Sequence, residues 1–413
     1  MEFVDVGRDK ISRLGVGTYS LSGVYGEKDL DQFRSMLKEA ITAGVNLIDT
    51  APAYGSAEKV VGEVIAPRRD QLFISTKTDA GLGGEGSLAP ADIKESCHRS
   101  LRRLNTDYVD IYHVHYPDPE TEVMDTIQAL EELKQSGLIR EYGLSHLPRC
   151  WQKQFLQRGD IFSMMGEYNL LNQSYLLQKL GSQDMLKIAF SVTGRGLLTD
   201  KFADLEEDVK GEGQIRSRLD EGDIRRIDPQ FRRDRLKMAG AVREELVDLS
   251  RETGHKPVQL AAAWVLEQEE ADCILGGPGT PAHFQELRIG AEIKLDRDIY
   301  SRLEKLRETE QRKLEERSAL TIENIITSTS RGSRADKRPA SPEDFIYALD
   351  TIAVYGELPA ELERDVIPLM RQLLRMRGAD GLSLKGRQGR IIERIEELYR
   401  ASILDRPGKF RER

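Results

Sequence analysis

Four polar side chains stand at or just beyond the ends of apolar runs. Asp49 closes VNLID (45–49), Tyr54 follows in TAPAYGSAEKVVGE, Lys77 ends LFISTK, and His115 ends YVDIYHVH (108–115). A phenol has an ordinary pKa near ~10 and is a weak acid at neutral pH. A neighbouring ammonium favours the phenolate and is expected to lower that value. A carboxylate beside the ammonium keeps it charged and fixed in place. A neutral imidazole orients and polarises a carbonyl through a ring N–H. Together these types suit proton transfer at an oxygen while hydride moves at the attached carbon. Each residue alone also has a bland reading, as an ion-paired or packed strand end. The four in matching contexts favour chemistry.

Positioning four such groups calls for a scaffold whose strand ends converge. The chain has 413 residues, 39% hydrophobic and 32% charged, enough for one large domain and something more. That composition excludes a collagen-like repeat or a wholly disordered chain. With 61 Lys and Arg against 70 Asp and Glu, the net charge of −9 offers no chain-wide basic field, so no nucleic-acid partner is expected. The opening MEFVDVGRDK lacks the basic-then-apolar pattern of a signal peptide. No apolar run approaches the ~20 residues of a membrane span, so no membrane partner is expected either. Cys97, Cys150 and Cys273 show no CxxC spacing. A soluble, cytoplasmic protein of a reducing compartment is expected.

Eight strand-like runs punctuate the chain: 13–17, 45–49, 72–76, 108–115, 141–145, 162–166, 186–191 and 273–277. Amphipathic stretches such as 31–44, 90–104 and 122–137 lie between them, the last ending at the helix-stopping Gly137. Near-continuous apolar strands alternating with helices predict an α/β fold, a (β/α)8 TIM barrel, with reactive groups at the strand C-terminal ends. Residues 3–13 alternate around Gly7–Asp9 and predict a hairpin over the barrel bottom. The barrel is expected over 1–315. A linker is expected over 316–341, centred on STSRGSRADKRPASP (328–342), and a mostly helical C-terminal extension over 342–413. The extension is expected to pack on the barrel or on a neighbouring copy, making a homo-oligomer. The insertion 200–236 follows the seventh strand and belongs on the active face. Its run RRIDPQFRRDRLK interleaves Arg with Asp and reads as a solvated face before an anion site.

Several motifs then fall in one order: GVGTYS (15–20), NLIDTAPAYGSAEKVVGE (46–63), ISTK (74–77), YVDIYHVHYPDP (108–119), GLSH (143–146), EYNLL (167–171), GRGLLTDKF (194–202) and PVQLAAAWVL (257–266). Over roughly residues 10–310 the sequence resembles the aldo-keto reductases. The resemblance implies an NAD(P)-dependent oxidoreductase, without metal, acting on an aldehyde, ketone or sugar hemiacetal, a sugar-like substrate being favoured. It implies Tyr54 as general acid/base, Lys77 tuning it, Asp49 holding Lys77, and His115 orienting the substrate carbonyl. The alternative from another class is a cofactor-sensing regulatory or scaffold protein on the same barrel. A third is an epimerase-like cycle with retained NAD.

The resemblance also implies a cofactor set. Gly17, Thr18 and Asp49 would lie beside the nicotinamide, Ser145 would hold its carboxamide, and Phe190 would stack on its ring. Ser191, Gly194, Arg195 and Leu197 would cover the pyrophosphate. Gly276 and Gly277 would end the eighth strand, where phosphate meets a helix N-terminus. Some positions depart from the family pattern. His146 replaces the usual Asn, and Met165 the usual Gln. Pro278 and Gly279 occupy the stretch that normally carries the 2′-phosphate cation, and Glu286-Leu287 stands for the adenine-holding Glu-Asn. Arg288 lies a turn or two onward as a substitute, so NADP and NAD both stay open. His113 faces the same way as His115 by strand periodicity and reads as a core or supporting histidine. GLGGEG (81–86) reads as a substrate-side loop, and the stripe Leu369, Met370, Leu373, Leu374 and Met376 as helix packing.

Overall fold

Helix α1 (Leu30–Thr42) starts where Asp29 accepts hydrogen bonds from Asp31 N and Gln32 N, satisfying two amides that have no partner in the first turn. It buries Phe33, Met36, Leu37 and Ala40, a stripe at helical spacing. The three larger side chains each contribute about 1.5–3 kcal/mol by leaving water. Buried apolar stripes likewise give α2 (Ala57–Ile65), α3 (Pro90–Leu104, with proline in the first turn) and α4 (Val123–Gln135). Gly137 follows α4 at φ +75°, a left-handed exit that a side chain would strain. Helix α5 spans Arg149–Arg158.

The chain described is a computed structural model, covering all residues except 8, 81–85, 119, 146, 148, 174–176, 178–184, 203–214, 216, 227, 331–341, 356–361, 363–364, 376–387 and 403–413. Strands β1 (Phe3–Val6) and β2 (Asp9–Ser12) form the antiparallel hairpin that the alternation predicted. Then follow β3 (Leu14–Gly17), β4 (Leu47–Asp49), β5 (Phe73–Lys77), β6 (Val109–Val114), β7 (Ile139–Leu144) and β8 (Ser163–Asn169). A short β9 (Asn172–Gln173) turns back on β8. β10 (Leu186–Phe190) pairs with β8, and β11 (Cys273–Gly276) pairs with both β10 and β3. Eight parallel strands therefore close, in the predicted (β/α)8 barrel. Val4, Val6 and Ile11 of the hairpin join Leu47, Phe73, Ile111, Leu186 and Cys273 in one apolar cluster, sealing the end opposite the strand C-termini. Among the described residues no helix is long and apolar enough to cross a membrane.

The chain divides into two compact units, and the division differs from the expected one. The first holds Met1–Asp204, Asp220–Asp223 and Ala241–Lys305. The second combines Leu306–Arg413 with parts of the insertion, including Ile224–Gly240. Residues 316–330, expected as linker, instead continue the helix Arg297–Ser330. Leu314, Ser318 and Ile322, each fully buried, keep a four-residue stripe running through that polar sequence. The most linker-like residues, 331–341, lie outside the described chain.

Within the second unit, the helices Pro342–Tyr355, Val366–Arg375 and Gln388–Ala401 bury Phe345, Leu349, Ile352, Leu369, Leu373, Ile395 and Leu398 together with Ile322. Leu369 and Leu373 thus pack as expected. The side chains of Met370 and Leu374, and residue Met376, lie outside the description. Polar contacts join the insertion to these helices. Thr321 Oγ1 donates to Asp234 Oδ2 at 2.6 Å, and Arg235 meets Asp350 at 2.7 Å. The insertion's Arg and Asp residues therefore hold the helical unit together as well as facing water.

Candidate active site

Alternation along the strands decides which side chains face the barrel interior. Leu47 and Asp49 share a face on β4, Phe73, Ser75 and Lys77 on β5, and Ile111 and His113 on β6. Leu47, Phe73 and Ile111 belong to the interior cluster, so Asp49, Lys77 and His113 point inward above them. Lys77 Nζ donates to both Asp49 oxygens at 2.7 Å and to the Thr50 carbonyl at 2.8 Å. The Lys77 and Asp49 side chains keep only 2% and 6% exposure. Nζ lies 5.0 Å from the centre of the Tyr54 ring, and the Tyr54 and His115 rings meet edge-on at 5.9 Å. The four residues predicted to act together are brought together. Tyr19 adds a third ring, 5.0 Å from Tyr54, and Tyr25 packs on Tyr19.

Electrostatics at Tyr54 run opposite to the expectation. Burial pushes the phenol well above its ordinary value, and the Asp49 charge adds to the rise. Burial lowers Lys77 from its usual value, and Asp49 opposes that shift. His113 sits well below its usual value, from burial and then from the Lys77 charge.

The aldo/keto reductase family profile matches residues 13–308. The chain belongs to that family. It is 31% identical over 301 residues to the aldo-keto reductase YhdN of Bacillus subtilis, covering 70% of this chain and 88% of the relative. It is 28% identical over 310 residues to an Escherichia coli protein named NADH-specific methylglyoxal reductase, covering 69% and 91%. Among solved structures, an aldo-keto reductase of Bacillus halodurans in its holo form superposes with a TM-score of 0.58 at 25% identity, covering 74% of this chain and 96% of that one. This aldo-keto reductase is accordingly an NAD(P)H-dependent oxidoreductase.

The mouth of this reductase fits such a nucleotide. Thr18 Oγ1, Thr50 Oγ1 and Ser145 Oγ are buried with no hydrogen-bond partner among the described residues, an arrangement that leaves polar atoms for a ligand to satisfy. Ser145 follows β7, its N–H donating to Val114 O at 3.0 Å, next to His115. Thr18 N donates to Asp49 O at 3.0 Å, which ties the β3 end to the acid–base group. A Cβ at Gly17 would sit 3.4 Å from the Gly276 carbonyl, so the β3–β11 rim stays low where a ligand backbone would pass. Ser191 and Arg195, neither of them glycine, adopt φ +56°, and Gly194 shares that angle. Such strain costs roughly 1–3 kcal/mol per residue and persists only where neighbours impose it. Asn169 holds this segment by donating to Ser191 O at 2.9 Å, and Arg195 is clamped by Glu167 through two bonds of 3.0 and 2.9 Å. Among the described residues no cluster of His, Cys, Asp or Glu could hold a metal ion.

Other predicted cofactor positions fall less directly on the mouth. Met165 is buried in the interior apolar cluster with Ile188 and Leu275, and a thioether there supplies packing but no amide contact. Leu197 is fully buried, leaving only its backbone to a ligand. Phe190, half-buried, ends β10 opposite Glu167 of β8. Gly276 and Gly277 lie beside Gly17, while Glu286 is held by Lys256 at 2.5 Å. His146 and residues 81–85 of GLGGEG lie outside the described residues. Sequence reasoning missed Asn169, Glu167, Ser75 and Ser163. Only the even spacing of Ser75 with Lys77 hinted that Ser75 shares the site.

Proposed function

We propose that the protein reduces a small aldehyde, ketone or open-chain sugar carbonyl to the alcohol and oxidises that alcohol in reverse, or oxidises a cyclic sugar hemiacetal to its lactone. The bound nicotinamide supplies or accepts the hydride. The Tyr54 phenol gives its proton to the carbonyl oxygen in reduction. His115 orients that oxygen through a ring N–H, and Lys77, fixed by Asp49, stabilises the phenolate that remains. The observation carrying this reading is the buried ammonium, gripped by Asp49 and lying under the Tyr54 ring. Burial keeps the phenol protonated, so it is the group that holds a proton beside the mouth for the reduced oxygen. The test is Tyr54→Phe, assayed at the nicotinamide absorbance band over a panel of aldehydes, ketones and aldoses. Loss of turnover with nucleotide binding retained is the expected result. Undiminished turnover refutes the role.

The preferred nucleotide is NAD(H). Pro278 and Gly279 offer no cation for a 2′-phosphate, which wants bidentate cationic partners. Open space surrounds a Cβ built at Gly279. Arg288, the substitute, is engaged by Gln285 at 2.8 Å and Glu292 at 3.4 Å. The relative named for NADH specificity is consistent with this choice. Comparing kcat/KM for NADH and NADPH tests it, and a higher value for NADPH rejects it.

A further inference from the structure

We propose that His113 and Ser75 are positioning residues, a buried relay that fixes the Asp49 carboxylate in the orientation that clamps Lys77. This inference rests on the Tyr54–Lys77–Asp49 reading above. Ser75 Oγ donates to Asp49 Oδ1 at 2.8 Å, the same oxygen that receives Lys77. Ser75 Oγ also lies 3.1 Å from His113 Nδ1, and His113 Nε2 lies 2.9 Å from Ser163 Oγ. All four side chains are buried.

The proton count gives the relay a direction. Ionised Asp49 only accepts, so the single Ser75 proton goes to it. The Ser75 oxygen must then accept from His113, whose Nδ1 carries the hydrogen. Nε2 is left bare and takes the Ser163 proton. One neutral tautomer of His113 satisfies every group, and each hydroxyl is spent once. A second proton on His113 would turn Nε2 into a donor and oblige Ser163 to rotate, in a site already facing the Lys77 charge. The direction of the His113 shift agrees with that arrangement. Room for the ring is built in: a Cβ on Gly143 would lie 2.8 Å from His113 Cδ2 and 2.3 Å from Ser163 Oγ.

Without the relay, Asp49 keeps its charge but loses the bond that sets its rotation against Lys77. The charged and titratable groups facing Lys77 are Asp49, Tyr54, His113 and Glu58 of α2. A loosened Asp49 therefore weakens the principal support of the buried ammonium. Its proton is lost more readily, and the alkaline limb of kcat moves to lower pH.

The experiment compares Ser75→Ala, His113→Leu and His113→Asn with the parent protein. Asn can present an amide N–H near the position of Nδ1–H. Carbonyl reduction, nucleotide binding and thermal unfolding are measured for each. Expected are a fall in kcat of about 10- to 100-fold for Ser75→Ala and His113→Leu, a carbonyl KM changed far less, and an acidward alkaline limb. His113→Asn restores most of kcat. Folded Ser75→Ala and His113→Leu proteins with the parent kcat and limb overturn the proposal. So does activity that falls only in proportion to folded protein. If Tyr54→Phe keeps full activity, the underlying catalytic reading fails; if Tyr54→Phe is inactive and the relay variants are unaffected, only the relay fails.

Discussion

Gly143 stands opposite His113 in the β6–β7 ladder, and the absence of a side chain there admits the imidazole. A Cβ at this position would also come 2.5 Å from the Ser163 carbonyl, which is backbone and cannot swing aside. Gly143→Ala is therefore expected to destabilise the protein by about 1–3 kcal/mol, as overpacking does. A lower thermal midpoint together with reduced kcat is the expected outcome. A neutral substitution contradicts the packing described.

Removing one member of the Lys77–Asp49 pair strands a buried charge. Lys77→Met is expected to abolish turnover and to lower stability by about 3–5 kcal/mol. Pairing it with Asp49→Asn removes the stranded charge, so the double variant should be more stable than Lys77→Met alone. Denaturant unfolding of the three proteins measures this. A double variant no more stable than Lys77→Met rejects it.

His113 links stability to acid. Its folded pKa lies below the ordinary value, so below about pH 6.5 the unfolded chain binds a proton that the folded one refuses. Stability therefore rises with pH and is lost as pH falls through that range, by up to about 1.4 kcal/mol per pH unit for this one group. His113→Asn should remove that part of the slope and lower the acid-unfolding midpoint. An unchanged midpoint would show that His113 carries no such linkage.

Tyr54 predicts the shape of the rate profile. A phenol held above its usual pKa stays protonated through neutral pH. Reduction should then have a flat kcat from pH 6 to pH 8 and fall only in the alkaline range, where the phenol or the Lys77 ammonium loses its proton. A limb centred near neutrality, after correction for the chemical step, argues against Tyr54 as the acid.

Asn169 predicts a binding effect. Its side chain donates to Ser191 O and accepts from Leu171 N at 2.8 Å and Asn172 N at 3.0 Å. Asn169→Ala leaves buried amides unpaired, at a cost of about 1–3 kcal/mol, and frees the strained 191–196 loop. Weaker nucleotide binding with a smaller change in kcat is expected from titration and steady-state kinetics. Unaltered nucleotide affinity would dissociate this loop from the cofactor.

Much of this was legible because strand periodicity is local. The eight strand runs were found within a few residues of their bounds, and β6 ends at Val114, just before His115. Asp49, Tyr54, Lys77 and His115 were recognisable as a set because all lie at or just past the ends of three strands, β4, β5 and β6, at the barrel's reactive end. Residues 316–330 were misread because their polar composition masks a buried stripe at helical spacing.

The amino-acid order by itself determined the alternation of strand and helix, the hairpin below the barrel and the types of the four reactive groups. Tertiary structure alone decided what surrounds them. Ser75 meets Asp49 across 26 positions on the neighbouring strand, and His113 meets Ser163 across 50, reaching past the intervening β7, contacts that exist only because the barrel sets its strands in register. Closure also buries Tyr54, and that desolvation, with the Asp49 charge added to it, raises a phenol that the nearby lysine led the sequence to expect lowered. Burial is a property of the whole barrel, so no local reading of residues could supply it.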